Sequence, residues 1–177
     1  MNTTARAANP SEPPHGILPD EVFDPILRIA HVLNKAVGRL LHPYRMSCSD
    51  ASVLAVLHRS GPPHALAPTD IARCLALTSG ALTPRIDRLE DAGLVERLPV
   101  PADRRRTQVR LTHDGHNRAA EIISQVNLLY EAVLSHALDP RLEPLVAGLG
   151  ALDKATSTLC SNRSHDTIAL TSLPDNG

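Results

Sequence analysis

From Pro19 to Leu41 apolar side chains recur at Val22, Ile26, Ile29, Ala30, Leu33, Val37, Leu40 and Leu41, the spacing of one helix face. Asp20 and Glu21 stand at the positive end of that helix dipole, and Pro43 ends the helix. A second helix starts at Ser47 or Ser49, either of which can cap it, carries Val53, Leu54, Val56 and Leu57, and stops at Gly61-Pro62-Pro63. His64-Ala65-Leu66 extends briefly. Pro68 then suits the first turn of a short third helix with Ile71, Ala72 and Leu75. Thr78 or Ser79 caps a fourth, whose inward stripe is Leu82, Ile86 and Leu89 and whose left-handed stop is Gly93.

After Gly93 the period changes. Leu94 to Leu98 alternates loosely, Pro99 to Arg106 has turn composition, and Thr107 to Leu111 alternates again with Val109 and Leu111 on one face, which predicts a hairpin with a basic tip. Thr112 caps a long fifth helix with the stripe Ala119, Ile122, Ile123, Val126, Leu129, Val133 and Ala137, broken at Asp139-Pro140. A sixth repeats Leu142, Leu145, Leu149, Leu152, Thr156 and Leu159, almost a heptad stripe suited to pairing with another chain. The fold class expected is therefore mainly α: six helices with a small β-hairpin between the fourth and fifth.

Composition bounds the chemistry. The chain has 177 residues and a net charge of -1, yet between Arg97 and Arg110 five arginines (Arg97, Arg104, Arg105, Arg106 and Arg110) face one acid, Asp103. Aromatic residues make up 2% and Trp is absent, which argues against a stacking platform for single strands. Cys48, Cys74 and Cys160 form no CxxC pair, so neither a structural zinc site nor a disulfide framework is expected. No apolar run suits a membrane span or a signal peptide, and a cytoplasmic location is expected. No Ser-His-Asp order, P-loop or dinucleotide fingerprint appears, so neither an enzyme nor a cofactor is expected.

Two short helices, a tight turn and a hairpin solve a geometric problem: one helix enters a major groove ~12 Å wide while its neighbours grip phosphates. The fourth helix has suitable chemistry. Ser79, Gly80 and Thr83 permit close approach, Arg85 and Arg88 reach guanine edges or phosphates, and Arg97 with the tip residues Arg104, Arg105 and Arg106 extends contact to the flanking backbone or minor groove. An ordinary bundle with a solvated hairpin is the bland alternative; what tells against it is that the basic run sits on a turn directly after a helix with a polar N-terminal half. Pro84 removes a donor inside that helix, so a tight first turn or a late start is expected.

The run Leu66-Ala67-Pro68-Thr69-Asp70-Ile71-Ala72, then Ser79-Gly80-Ala81-Leu82-Thr83, Arg85 through Arg97, Asp103-Arg104-Arg105 and Val109 through Gly115 resembles the MarR family of bacterial regulators. With the six-helix layout the resemblance spans roughly residues 20 to 160. It implies a winged helix-turn-helix at 47-111, a dimerisation helix at 19-46 and dimerisation helices at 112-162, between a disordered leader at 1-18 and a flexible tail at 163-177. It further implies an intertwined homodimer that places its fourth helices on a pseudopalindromic duplex DNA operator, with Asp103 orienting Arg105 for the minor groove. Val100 departs from the acid often seen at the base of that wing.

The resemblance also implies a repressor released by a small effector, often an aromatic acid or antibiotic, bound between the dimer helices and the DNA-binding lobe. Arg28 and His31, one turn apart on the first helix, are candidates to receive a carboxylate, against the plain reading of a solvated face. Cys48, near the start of the second helix and four residues from Tyr44, is the candidate for an alternative, thiol-based redox control. His42, His113 and His116 invite a metal, but the capping role of Thr112 to Gly115 and the want of acidic co-ligands leave no metal site expected. A helical interaction protein that binds no DNA is the remaining alternative.

Overall fold

The computed structural model describes residues 16–100, 103–136 and 142–162. Most of the leader, the tail from 163 and the Asp139-Pro140 break lie outside those residues. The elements run α1 (Pro19–Leu41), a 3-10 turn (His42–Tyr44), α2 (Cys48–Arg59), β1 (Ala65–Leu66), α3 (Pro68–Cys74), α4 (Ser79–Asp91), β2 (Val95–Val100), β3 (Asp103–Leu111), α5 (His113–His136) and α6 (Leu142–Asn162). Among the described residues no helix is long and apolar enough to cross a membrane.

Local chemistry accounts for the boundaries. Glu21 folds back to accept the Leu18 N–H at 3.1 Å, closing the start of α1. Of the two serines that could open α2, Ser47 does so, its hydroxyl accepting from the Asp50 N–H at 3.1 Å. Thr78 rather than Ser79 caps α4. Thr112 caps α5 by accepting from the Gly115 N–H at 3.0 Å.

The sheet is larger than a hairpin. Its order is β1-β3-β2, all antiparallel, and Ala65-Leu66 pairs with Arg110-Val109. The strands also run through much of Pro99 to Arg106, where composition suggested a turn. The reason is position: β2 is an edge strand, so the missing N–H of Pro99 costs no ladder bond on its open side, and the pairing irregularity falls between Pro99 and Val100.

A single core fills the lobe, with Val53, Leu54 and Leu57 of α2, Ile71 of α3, Leu82, Ile86 and Leu89 of α4, Val95 and Val109 of the sheet and Ala119 of α5 all buried. A second cluster joins Val37 and Leu41 of α1 to Ala51 of α2 and Ile122 of α5. Tyr44 holds the 3-10 turn to α5 by donating to Glu121 and accepting from Gln125, both at 2.8 Å. The terminal helices are different: Leu27, Ile29 and Val32 of α1, Leu128 and Leu134 of α5, and Leu145 and Val146 of α6 are exposed large apolar side chains.

The end of α4 is joined to the start of α5 by a close backbone contact. Gly93, at φ +70°, lets the Leu94 N–H reach the Leu89 carbonyl at 2.9 Å while its own N–H reaches Glu90 at 2.8 Å, a Schellman stop. The turn then docks on α5, with the Thr112 hydroxyl donating to the Gly93 carbonyl at 2.7 Å and the Thr112 N–H to the Leu94 carbonyl at 3.1 Å. Gly115 is buried here, and a Cβ on it would lie 1.8 Å from the Leu94 oxygen. Gly115→Ala should therefore lower stability by at least about 2 kcal/mol in urea unfolding, whereas Gly80→Ala, whose Cβ would meet nothing within 4 Å, should stay within about 1 kcal/mol of the parent.

Candidate nucleic-acid interface

Helix α4 buries Leu82, Ile86 and Leu89 and leaves Ser79, Gly80, Ala81, Thr83 and Pro84 exposed. Its open face is therefore a strip of small side chains along the first two turns. Pro84 neither delays the helix nor breaks it, which corrects the expectation of a tight or late start. The donor it removes would have served the Gly80 carbonyl, which lies on the exposed face where solvent can take that place. The Thr83 hydroxyl donates to the Ser79 carbonyl at 3.1 Å and keeps its acceptor capacity outward.

The arginines divide into two groups. Arg88 forms a forked pair with Asp50 of α2, Nη2 to Oδ1 at 2.7 Å and Nε to Oδ2 at 3.3 Å. Asp50 is the one buried charged residue among the described residues, and it also accepts from the Ser47 hydroxyl at 2.7 Å. Hydrogen bonding to Asp50, reinforced by its charge, raises the Arg88 pKa. Arg97 of β2 is pinned likewise: its guanidinium pairs with Asp87 and Glu90 of α4, and its N–H donates to Glu90 at 3.2 Å. Arg110 pairs with Glu96 at 2.8 Å.

Arg85 has no ion pair among the described residues. It stands half-buried on α4 between the exposed strip and the core. The backbone of Asp103, Arg104, Arg105 and Arg106 lies in β3, and their side chains fall outside the described ones. Thus three arginines of the expected basic surface, Arg88, Arg97 and Arg110, are tied to acids of their own chain. The capping pattern Ser47-x-x-Asp50 is visible in sequence, but its partner lies 38 residues away and is not.

A second feature lies between α1, α2 and α5. A cavity of about 240 Å³ is lined by Val37, Ala51, Ile122 and Val126, with Asn34, Ser52, Asn127, Tyr130 and one cation, Arg59. Cys48 also lines it, its thiol donating to the Asn34 carbonyl at 3.5 Å. Arg28 and His31 are exposed on α1 and do not line this cavity. Sequence gave no signal for Arg59, which stands at the end of a helix like many solvated arginines. Among the described residues no three His, Cys, Asp or Glu side chains are placed to hold a metal ion.

Comparison with known proteins follows these features. A model of the MarR family matches residues 46–106. The chain is 30% identical over 142 residues to the HTH-type transcriptional regulator PecS of Dickeya dadantii, a match covering 77% of this chain and 86% of that protein. It is 38% identical over 93 residues to the multiple antibiotic resistance protein MarR of Escherichia coli, covering 51% of this chain and 64% of that one. A crystal structure of a mutant MarR from E. coli complexed with operator DNA superposes with a TM-score of 0.57 at 28% identity, covering 79% of this chain and 99% of that one.

The Asp50–Arg88 pair joins α2 to the polar helix, so removing one partner should loosen that helix. Asp50→Ala is expected to cost about 1–3 kcal/mol in urea unfolding, and Asp50→Glu should restore only part of it, because the forked geometry depends on side-chain length.

Proposed function

The chain belongs to the MarR family of DNA-binding transcriptional regulators, and on that premise we propose that it is a homodimeric repressor of a pseudopalindromic operator, released by a small anionic effector. The observation that carries the reading is the polar strip of α4, Ser79 to Thr83, held in place from both sides by the Asp50–Arg88 and Arg97–Asp87/Glu90 pairs. In this reading Ser79, Gly80, Thr83 and Arg85 approach base edges and adjoining phosphates, while Asp103, Arg104, Arg105 and Arg106 carry the wing into the flanking groove. Arg88 and Arg97 act chiefly by fixing the helix, their remaining exposed N–H groups being free to reach phosphate.

The second copy covers the apolar side chains that α1, α5 and α6 present to solvent. Val146 and Leu27 are 68% and 65% exposed in the single chain, and so many large apolar side chains open to solvent on three helices is more than a monomer usually shows. Membership of the family sets aside the helical interaction protein that binds no DNA.

The effector fits the cavity between α1, α2 and α5. Its apolar floor suits a ring, and Arg59 supplies the cation for a carboxylate. Helix α2 shows the cavity Ala51, Ser52 and Arg59 and holds Arg88 through Asp50. A ligand that favours one setting of α2 thereby favours one setting of α4, and affinity for DNA changes by linkage. Cys48 stands in the same cavity, so oxidation of its thiol is the alternative trigger.

In anisotropy titrations with duplex selected by this protein from a random library, Arg85→Ala should cost about 1–3 kcal/mol and relax base preference at one position. Arg105→Ala should weaken binding and reduce the salt slope by about 1. Unchanged binding in both variants would overturn the interface. A panel of small aromatic carboxylates, benzoate included, should release the duplex from the parent protein, and Arg59→Ala should abolish that release while leaving binding of the free protein to DNA within a few-fold. Release by peroxide and not by any carboxylate, lost in Cys48→Ser, would favour the thiol trigger.

A further inference from the structure

Three histidines unused by the DNA interface or the cavity converge at the root of the lobe. His58 lies in the last turn of α2, His64 in the connector before β1, and His116 in the first turn of α5. Their rings are stacked or tilted on one another, with centroids 5.5 Å apart for His58 and His64, 4.9 Å for His58 and His116, and 4.7 Å for His64 and His116. They are separated in sequence by up to 58 positions, so only the fold brings them together.

Hydrogen bonding fixes one of the rings and burial encloses a nitrogen of another. His64 Nδ1 lies 3.1 Å from the His58 carbonyl, so it carries the proton and donates. Its backbone sits at φ 56°, uncommon for a residue with a side chain, and its carbonyl accepts the Leu111 N–H at 3.1 Å. His116 Nδ1 is buried with no hydrogen-bond partner. As a bare lone pair that nitrogen costs little; as an N–H of an imidazolium it would be a buried donor without an acceptor.

Among the described residues none of the three rings forms an ion pair with an acid. From α2 the neighbouring charge is Arg59, a further cation. From β3 it is Arg110, whose side chain is paired with Glu96 of β2. On α5, His113 engages Asn117 through Nε2, and Asp114 is exposed in the first turn.

We propose that His58, His64 and His116 form a proton-operated joint: neutral, they clamp α2, the β1–β3 pairing and α5 together, and protonation on mild acidification separates them and weakens DNA binding. The consequence for DNA follows from position. Helix α5 leads to the terminal helices and α2 holds α4 through Asp50, so a looser joint leaves the two α4 helices of a dimer without a fixed spacing.

Burial lowers the His58 pKa below its ordinary 6.5, and His116, His64 and Arg59 push it the same way. The separated state, with an ordinary pKa, binds more protons, so the clamp is intact above that value and is lost as the pH falls through it.

The DNA readout rests on the regulator reading, and the test therefore has a second arm that does not. With the selected duplex at constant ionic strength, the parent protein should lose about tenfold or more in affinity between pH 7.5 and 5.5. The variant His58→Phe with His116→Phe, which keeps flat rings but cannot titrate, should lose less than threefold. In the same full-length protein without DNA, the imidazole C–H resonance of His58, assigned with a His58→Gln variant, should titrate below free histidine. The melting temperature of the parent should also fall more steeply than that of the Phe variant over this range. Affinity within twofold across the range in the parent, an equal loss in the Phe variant, or ordinary titration of His58 overturns the joint. If no duplex binds at pH 7.5 the regulator reading fails instead, and the His58 resonance and melting curves alone decide the joint. If the Phe variant does not fold, His64→Gln takes its place in both arms.

Discussion

The contact of the Leu94 carbonyl with the backbone at Gly115 is the constraint on which the arrangement of the lobe depends. It lets the stop of α4 lie directly on the first turn of α5, and a side chain at residue 115 would hold the two apart. Around it, Thr112 bonds both carbonyls of the Gly93-Leu94 turn while capping its own helix. Helix α4, with its polar strip, and helix α5 are therefore one mechanical unit at this end. At its other side α4 is tied to α2 by Asp50 and Arg88.

Charge is used in two ways that composition cannot separate. The chain's net charge of -1 coexists with a basic stretch, but Arg97 and Arg110 in that stretch, and Arg88 before it, are matched by Glu90, Asp87, Glu96 and Asp50. Such partly exposed pairs contribute modest stability each, of order 1 kcal/mol or less. Their greater effect is orientational, because a forked guanidinium fixes both the distance and the rotation of the elements it joins. Arg85, by contrast, has no ion pair among the described residues.

Helix α2 lies at the centre of the proposed control scheme. One side of it meets the cavity, another holds α4, and its last turn supplies His58 to the histidine stack. An effector in the cavity and a proton at the stack would thus act on the same element. Because packed helices move as rigid bodies between discrete settings, small changes at either site can alter the presentation of α4.

The sequence by itself determined the elements. Periodicity and local caps located the six helices, the Gly93 stop, the Thr112 cap and the polar strip of α4, since each depends on side chains within about four positions of one another. It also carried the family resemblance. Tertiary structure decided the rest: that Ala65-Leu66 joins the sheet, that Pro99 is tolerated on an edge, and that Pro84 sits inside an unbroken helix. It decided too which arginines are anchored, that Arg59 rather than Arg28 or His31 lines the cavity, and that three scattered histidines stack. The reason is common to all of these: pairing partners 38 or 58 positions apart leave no trace in a local pattern, and only chain packing brings their charges and rings within reach.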